Sequence, residues 1–495
     1  VLQPPVVNKM DSEKDVYNLL NKVLGILKEE NALRPDDASP VILFKEPEKL
    51  KEILNISLDE QCDQNELLQI CKKMVIYSVK TGHKYFLNQL YGGMDMYGLA
   101  GAFITEALNT NQYTYEVAPV FTLCEMEVIN RALSLIGFNQ GDGIFCPGRG
   151  SMSNMGAIVL ARYHKMPEVK KTGLSGIPPF AIFTSQDAHY SIIKGAHWLG
   201  LGTDHVIAVK TDARGRMLPY QLEKAVMLAR SKGFVPIFVN ATAGTTVLGA
   251  FDPFEEISEV CKKYSLWLHI DGCWGGSVIF SKKHRQLLRG ISRADSVSWN
   301  PHKLLGAPLQ CSMLLLTRLF GVLDACNRAG ASYLFQTDKM YEIEYDTGDK
   351  SVQCGRKCDG FKFWMMWKMR GDDVFGLIVD KAMEAAGYFL SMIKTRPGFK
   401  LVLPEFQFTN ICFWYIPVRL RNQEENEEWW EKVHTIAPKM KQRFVMDSVL
   451  MIGYQPMAHK NFKNFFRLVV TGHPMLTKLE VDRVVDLMEQ FGADL

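Results

Sequence analysis

Two residues in the central part of the chain have the types and the spacing for carbonyl chemistry. An apolar strand pattern, Leu266 to Ile270, runs straight into Asp271. A second, Ser296 to Trp299, runs into Asn300-Pro301-His302-Lys303. This puts a carboxylate and an amine at the C-terminal ends of two strands, where open α/β sheets hold their ligands. A free lysine amine, with a pKa of about 10.4, is mostly protonated and a poor nucleophile. In a partly desolvated site beside a cationic group it loses its proton and condenses with an aldehyde. A carboxylate opposite a pyridine nitrogen keeps that ring protonated, so that it can accept electrons. The pair therefore points to pyridoxal 5'-phosphate (PLP). Taken singly, Lys303 reads equally as a surface lysine and Asp271 as a helix cap.

Other stretches fall at the same end of the predicted sheet. Gly148-Arg149-Gly150-Ser151-Met152-Ser153-Asn154 precedes a helical pattern, Met155 to Tyr163. Small residues, hydroxyls and free N–H groups at a helix start suit a phosphate. The third glycine of a dinucleotide fingerprint is missing. Thr242-Ala243-Gly244-Thr245-Thr246 follows the strand pattern Val235 to Val239, and His189 follows Phe180 to Thr184. A histidine there can stack on a ring, cap a helix or fill the core.

The elements that carry these residues form a βαβ rhythm. Strand patterns at Phe180–Thr184, Val206–Lys210, Val235–Val239, Leu266–Ile270, Ser296–Trp299 and Ser312–Leu316 alternate with helical ones such as Tyr220–Ser231 and Pro253–Tyr264. This predicts a mainly parallel sheet with covering helices. Before it, the apolar spacing over residues 1–105 is helical, as in Val16, Leu19, Leu20, Val23 and Leu24. After residue 375 the order is helix (Val379–Lys394), strand (Asn410–Ile416), helix (Glu428–Phe444), strand (Phe466–Val470) and helix (Lys478–Phe491). The expected organisation is thus a helical segment 1–105, a large domain 106–375 and a small α+β domain 376–495.

Composition agrees with two or three domains, since the chain has 495 residues, 47% of them hydrophobic. A net charge of +3 gives no electrostatic case for nucleic acid or a membrane surface as partner. No apolar run reaches the length of a membrane span. Eleven cysteines without regular spacing read as free thiols in a reducing compartment. Cys354 and Cys358 lack the partner pair of a zinc site. The start, Val1-Leu2-Gln3-Pro4-Pro5, has neither the basic nor the apolar region of a signal peptide, and it lacks Met. A cytoplasmic protein with some N-terminal residues missing is the expectation.

From about residue 80 to the end the chain resembles the group II PLP-dependent amino acid decarboxylases of fold type I. The likeness rests on Phe86-Leu87-Asn88-Gln89-Leu90, on Tyr113 to Phe121, and on Ala241 to Thr246. Asn300 to Lys303, Ala331 to Gln336, Tyr345 to Lys350 and Asn464 to Arg467 extend it. It is strongest for the acidic branch, which includes glutamate, cysteine sulfinate and aspartate decarboxylases. The resemblance implies a large domain with a mainly parallel seven-stranded sheet, and a homodimer with active sites at the subunit interface. It makes Lys303 the Schiff-base lysine, Asp271 the partner of the pyridine nitrogen and His189 the ring-stacking residue. Met152 and Ser153 fall in its phosphate cradle, and Asn300 and Thr246 match further cofactor contacts. Arg467 matches the clamp on the substrate α-carboxylate, Gln89 a pocket residue, and Tyr341 a loop tyrosine that crosses the interface and donates a proton. Two positions depart from the family. Cys273 stands where alanine packs against the ring, and Arg149 is inserted between two glycines.

The resemblance also bears on the substrate. Tyr91 matches a bulky aromatic of the cysteine sulfinate branch, where glutamate decarboxylases carry serine, and Tyr113 follows the same branch. Asn111 and Gly306-Ala307-Pro308 look more glutamate-like. The expectation is aspartate to β-alanine, with cysteine sulfinate to hypotaurine as a second activity and glutamate as the alternative. Two other readings compete: an aldehyde-forming or transaminating enzyme of the same fold, and a non-catalytic protein that kept it. The first is opposed by Tyr341, the second by Lys303, Asp271, His189, Tyr341 and Arg467 occurring together.

Overall fold

The computed structural model describes residues 12–317 and 321–495. The alternating strands of the middle region assemble into one seven-stranded sheet. Its order is Gly141–Phe145, Met313–Thr317, Ser296–Trp299, Trp267–Gly272, Val235–Thr242, Phe180–Ser185, Val206–Val209. The four pairings from Ser296–Trp299 to Val206–Val209 are parallel, and the two made by Met313–Thr317 are antiparallel. The mainly parallel seven-stranded sheet is therefore present. Every residue of Phe180–Ser185, Trp267–Gly272, Ser296–Trp299 and Met313–Thr317 is buried. Strands covered on both faces read as continuous apolar runs, which is why these were visible in the sequence.

Successive side chains alternate between two cores. Ile182, Phe238 and Leu314 pack on one side with Ala157, Ile158 and Ile192 of the covering helices. Phe183, Val239 and Leu315 face the other side, which continues into Phe363, Phe375 and the small sheet. The long helix Asp359–Thr395 runs past residue 375, where the sequence rhythm changes, and is broken at Gly371 (φ 65°, ψ 177°).

The small sheet has five strands, in the order Phe86–Leu87, Met451–Met457, Phe462–Val469, Asn410–Tyr415, Phe399–Leu401. Its first strand comes from the N-terminal region, which is otherwise helical: Glu13–Glu29, Pro47–Leu54, Gln64–Tyr77 and Met96–Leu108. Two residues carry no periodicity, so the sequence reads only helix there. The helix expected over Glu428–Phe444 is two helices, Glu427–His434 and Ile436–Met446, meeting at Thr435. No helix among the described residues is long and apolar enough to cross a membrane.

One buried side chain joins the two sheets. Asn410, at the start of its small-sheet strand, accepts a hydrogen bond from Trp274 Nε1 at 2.7 Å. Its Nδ2 donates to the carbonyls of Thr246 at 2.9 Å and Val247 at 3.2 Å. Asn410 thus fixes the turn after Asp271 and the turn after Thr242 to the same point. Asn410→Leu keeps the branched shape but leaves Trp274 Nε1 without its acceptor, while the Thr246 and Val247 carbonyls retain Arg467 and Cys412. Urea unfolding of the variant is expected to show a loss of about 1–3 kcal/mol.

Candidate active site

The register of the sheet builds the site. Asp271, second from the end of its strand, lies opposite Thr242 on one neighbour and Ser298 on the other. Lys303 follows the strand Ser296–Trp299 by four residues, in the turn that leaves it. The helix Gly150–Lys165 starts at the same rim. Together they border a cavity of about 310 Å³.

Asp271 is buried, and its carboxylate is held from several sides. Oδ1 accepts the Cys273 N–H at 3.0 Å and Oδ2 accepts Asn154 Nδ2 at 2.9 Å. Burial alone would raise its carboxyl. Lys303, then His189, together with hydrogen bonds from Cys273 and Asn154, outweigh burial and hold it below the usual carboxylate range. His189 is lowered by burial, with Asp271 pulling upward and Lys303 downward. Its Nδ1 accepts the Ser191 N–H at 3.3 Å. Burial, with Lys303 adding to it, pushes His302 down to about 3, so it is neutral beside the lysine. The Asp271 carboxylate shares the cavity with the guanidinium groups of Arg149 and Arg467, an excess of cations that suits an anionic ligand.

Arg467 reaches the cavity from the small sheet. Its Nη1 donates to the Thr246 carbonyl at 2.9 Å and its Nη2 to the Asn88 carbonyl at 3.2 Å. Its Nε is buried without a hydrogen-bond partner among the described residues, as is Thr242 Oγ1 at the same cavity. Two neutral carbonyls orient the guanidinium and leave its charge for a ligand.

Nine residues singled out in the sequence border this one cavity: Gln89, Tyr91, His189, Thr246, Asp271, Cys273, Asn300, Lys303 and Arg467. Four others lie elsewhere. Met152 packs against the apolar cluster on the outer face of the sheet. The helix begins at Gly150, so Arg149, Gly150 and Ser151 are the residues at the cavity. Ser153 sits behind them, 2.9 Å from Ser312 Oγ, and Ser312 in turn donates to Asn300 Oδ1 at 2.6 Å. Asn111 is exposed and accepts the Arg356 N–H at 2.9 Å. The Tyr341 hydroxyl donates to Asp346 at 3.0 Å and accepts the Glu116 N–H at 3.2 Å, with its ring 5.1 Å from Tyr115.

Asn154, Thr242 and His302 also border the cavity, though none is a named site residue in the sequence reading. Asn154 closes one quoted motif, Thr242 opens another that brings hydroxyls to this end of the sheet, and His302 adjoins Lys303, so position is the available signal.

Both departures from the family pattern lie at the helix start. Arg149 has φ 73° and ψ −170°, a region that favours glycine. A Cβ on Gly150 would come within 2.3 Å of Cys273 Sγ and 2.9 Å of Asn300 Nδ2. Only a bare backbone can approach there, which exposes the first N–H groups of the helix to an anion. Cys273 donates from Sγ to Ser298 Oγ at 3.3 Å. Burial, then Asp271, raises its thiol well above the ordinary value.

These groups fit pyridoxal 5'-phosphate. Asp271 would hold the ring nitrogen, Lys303 the aldehyde and the helix start the phosphate, and the buried Thr242 Oγ1 and Arg467 Nε have no hydrogen-bond partner among the described residues. A lysine and a carboxylate so placed on a mainly parallel sheet define the class of PLP enzymes. The chain belongs to the pyridoxal-dependent decarboxylases: the family model described as "Pyridoxal-dependent decarboxylase conserved domain" matches residues 47–416. It is 50% identical to mouse (Mus musculus) cysteine sulfinic acid decarboxylase over 482 residues, 97% of each chain. It is 47% identical to human (Homo sapiens) acidic amino acid decarboxylase GADL1, over 100% of this chain and 94% of that one. The crystal structure of mouse CSAD superposes with a TM-score of 0.94 at 48% identity, covering 98% of this chain and all of that one.

The close approach at Gly150 makes a test. Gly150→Ala overpacks the helix start at a cost of about 1–3 kcal/mol. The PLP dissociation constant, followed by absorbance, is expected to rise roughly tenfold or more. Adding Cys273→Ala removes the sulfur in the way and is expected to recover part of the loss.

Proposed function

We propose that this chain removes the α-carboxylate of a short acidic amino acid, converting aspartate to β-alanine and cysteine sulfinate to hypotaurine. The observation that carries this reading is Tyr91, which borders the same cavity as Gln89 and Arg467. An aromatic ring there shortens the space for the side-chain acid, which favours substrates one methylene shorter than glutamate. The names of the relatives, a cysteine sulfinic acid decarboxylase and an acidic amino acid decarboxylase, agree with it. The glutamate-like features stand outside the cavity. Asn111 is tied to Arg356, and Gly306 lies against His473.

Bound PLP supplies the sink for the electron pair left when CO2 departs. Arg467 holds the α-carboxylate through its free guanidinium edge, a bidentate task in which lysine cannot replace it. Asp271 stays ionised and keeps the ring nitrogen protonated. His189 covers the ring face. Ser153 braces Asn300 through Ser312, and with Thr246 they support the cofactor end of the cavity. Met152 anchors the helix whose first turn faces the phosphate. Lys303 would hold the cofactor aldehyde through its side-chain amine. Tyr341 returns a proton to the substrate Cα.

Tyr341 does not border the cavity of its own chain. In this reading the protein is a homodimer, and the segment holding Tyr341 reaches the cavity of the second copy and closes it against water.

A steady-state comparison of aspartate, cysteine sulfinate and glutamate tests the substrate. The first two are expected to lead in kcat/KM, and glutamate above both would overturn the assignment. Tyr91→Ser is expected to move the ratio toward glutamate by about 10–200-fold. Subunit mixing tests the dimer. Lys303→Ala and Tyr341→Phe protomers, each nearly inactive alone, are expected to regain roughly a quarter of wild-type activity after equal exchange, because half of all dimers are then mixed and each mixed dimer carries one intact site of two. No recovery would place Tyr341 in its own cavity or outside the reaction.

A further inference from the structure

Behind Asp271 lies a chain of hydrogen bonds whose direction is forced at every link. Trp267 Nε1, which can only donate, gives its proton to Ser296 Oγ at 2.8 Å. At the other end Asp271 Oδ2 accepts Asn154 Nδ2 at 2.9 Å, and the second N–H of that amide goes to Ser191 Oγ at 2.9 Å. Asn154 Oδ1 must therefore accept, and it does so from Ser298 Oγ at 2.8 Å and His269 Nε2 at 3.0 Å. The proton of His269 is thus on Nε2. Burial, against the pull of Asp271, lowers this ring to about 4, so it is neutral and its Nδ1 is bare. Nδ1 takes the remaining proton, from Ser296 Oγ at 2.8 Å. Nothing in the series can reverse without leaving a buried donor facing a donor.

The chain follows from sequence spacing and register. His269 and Asp271 are two apart on one strand and share a face. Ser296 lies opposite His269, and Ser298 opposite Asp271. Asn154, in the helix laid over that face, closes the gap. Ser296, Ser298 and His269 have no exposed surface and Asn154 has 1%. The ring of His269 is further fixed by Phe238, stacked at a centroid distance of 5.6 Å. On the cavity side the charged and titratable groups facing Asp271 are Lys303 and His189.

We infer that His269 and Asn154 are positioning residues, which aim the Asp271 carboxylate and keep it the acceptor for the cofactor's ring nitrogen. The inference rests on the reading of Asp271 given above. A histidine that merely filled the core would need only its shape, whereas this one must present a donor on Nε2. Glutamine keeps an N–H there; leucine keeps bulk alone.

The test uses PLP-loaded wild type, His269→Gln, His269→Leu, Ser296→Ala and Asp271→Asn. The readouts are the cofactor dissociation constant and the pH midpoint of the visible band of lysine-bound PLP, with thermal unfolding as the fold control. His269→Leu is expected to raise the dissociation constant about tenfold, the scale of one hydrogen bond to a charged group, and to move the midpoint. His269→Gln should stay within about twofold of wild type for both, since its donor remains. Ser296→Ala, one link further out, should shift both in the direction of His269→Leu by a smaller amount, and it decides the matter if His269→Leu does not fold. Wild-type values for His269→Leu, or equal losses for Leu and Gln, would overturn the inference. A wild-type midpoint in Asp271→Asn would instead overturn the role of Asp271, which separates the two failures.

Discussion

The site depends on one electrostatic constraint: a carboxylate, Asp271, kept charged inside a protein core. An unpaired buried charge is strongly unfavourable. Here Lys303 and His189 supply opposing charge or dipole from the cavity side, while Cys273 and Asn154 supply hydrogen bonds from behind. The rest of the rim follows from that need. Polar residues, Thr242 and Ser298, stand beside Asp271 in a sheet whose other positions are mostly apolar. A helix must start close enough for Asn154 to reach the carboxylate, and that approach is possible because position 150 has no side chain.

The small sheet completes this rim. Arg467 comes from the strand Phe462–Val469, yet the carbonyls that orient it belong to Thr246 and Asn88, in two other regions of the chain. Asn410, on the neighbouring strand, ties the same Thr246 turn to Trp274. The cavity therefore has Asp271 on one sheet and Arg467 on another. Their spacing is set by backbone carbonyls and one buried amide, with no ion pair among those contacts. Such contacts resist salt and pH better than surface charge pairs.

Much of this was legible in the sequence, for physical reasons. Strands buried on both faces declare themselves as apolar runs, and the half-exposed edge strand Val206–Val209 is legible from its β-branched residues, so six of the seven strands of the large sheet are visible in the sequence. Gly141–Phe145 was not, because two glycines and an aspartate hide an edge strand that pairs only with Met313–Thr317. Met451–Met457 carries Gly453 and Pro456, and Phe86–Leu87 is too short for any period. Asp271 and Lys303 were legible because chemistry restricts their residue types. The resemblance puts Met152 in the phosphate cradle; with the helix starting at Gly150, its side chain packs on the apolar face. Asn154, Thr242 and His302 reach the cavity through the register of the sheet and the turn of the helix, which no local pattern reports.

Cys273 has a consequence beyond its departure from alanine. It places a second potential nucleophile in the cavity that Lys303 lines. Thiolates attack carbonyl carbon readily, whereas neutral thiols do so far more slowly. Burial, reinforced by the neighbouring carboxylate, keeps this sulfur protonated and hydrogen-bonded to Ser298. The Asp271 charge thereby also quiets a sulfur that would otherwise compete with Lys303 for an aldehyde, and chemoselectivity becomes a by-product of a buried carboxylate.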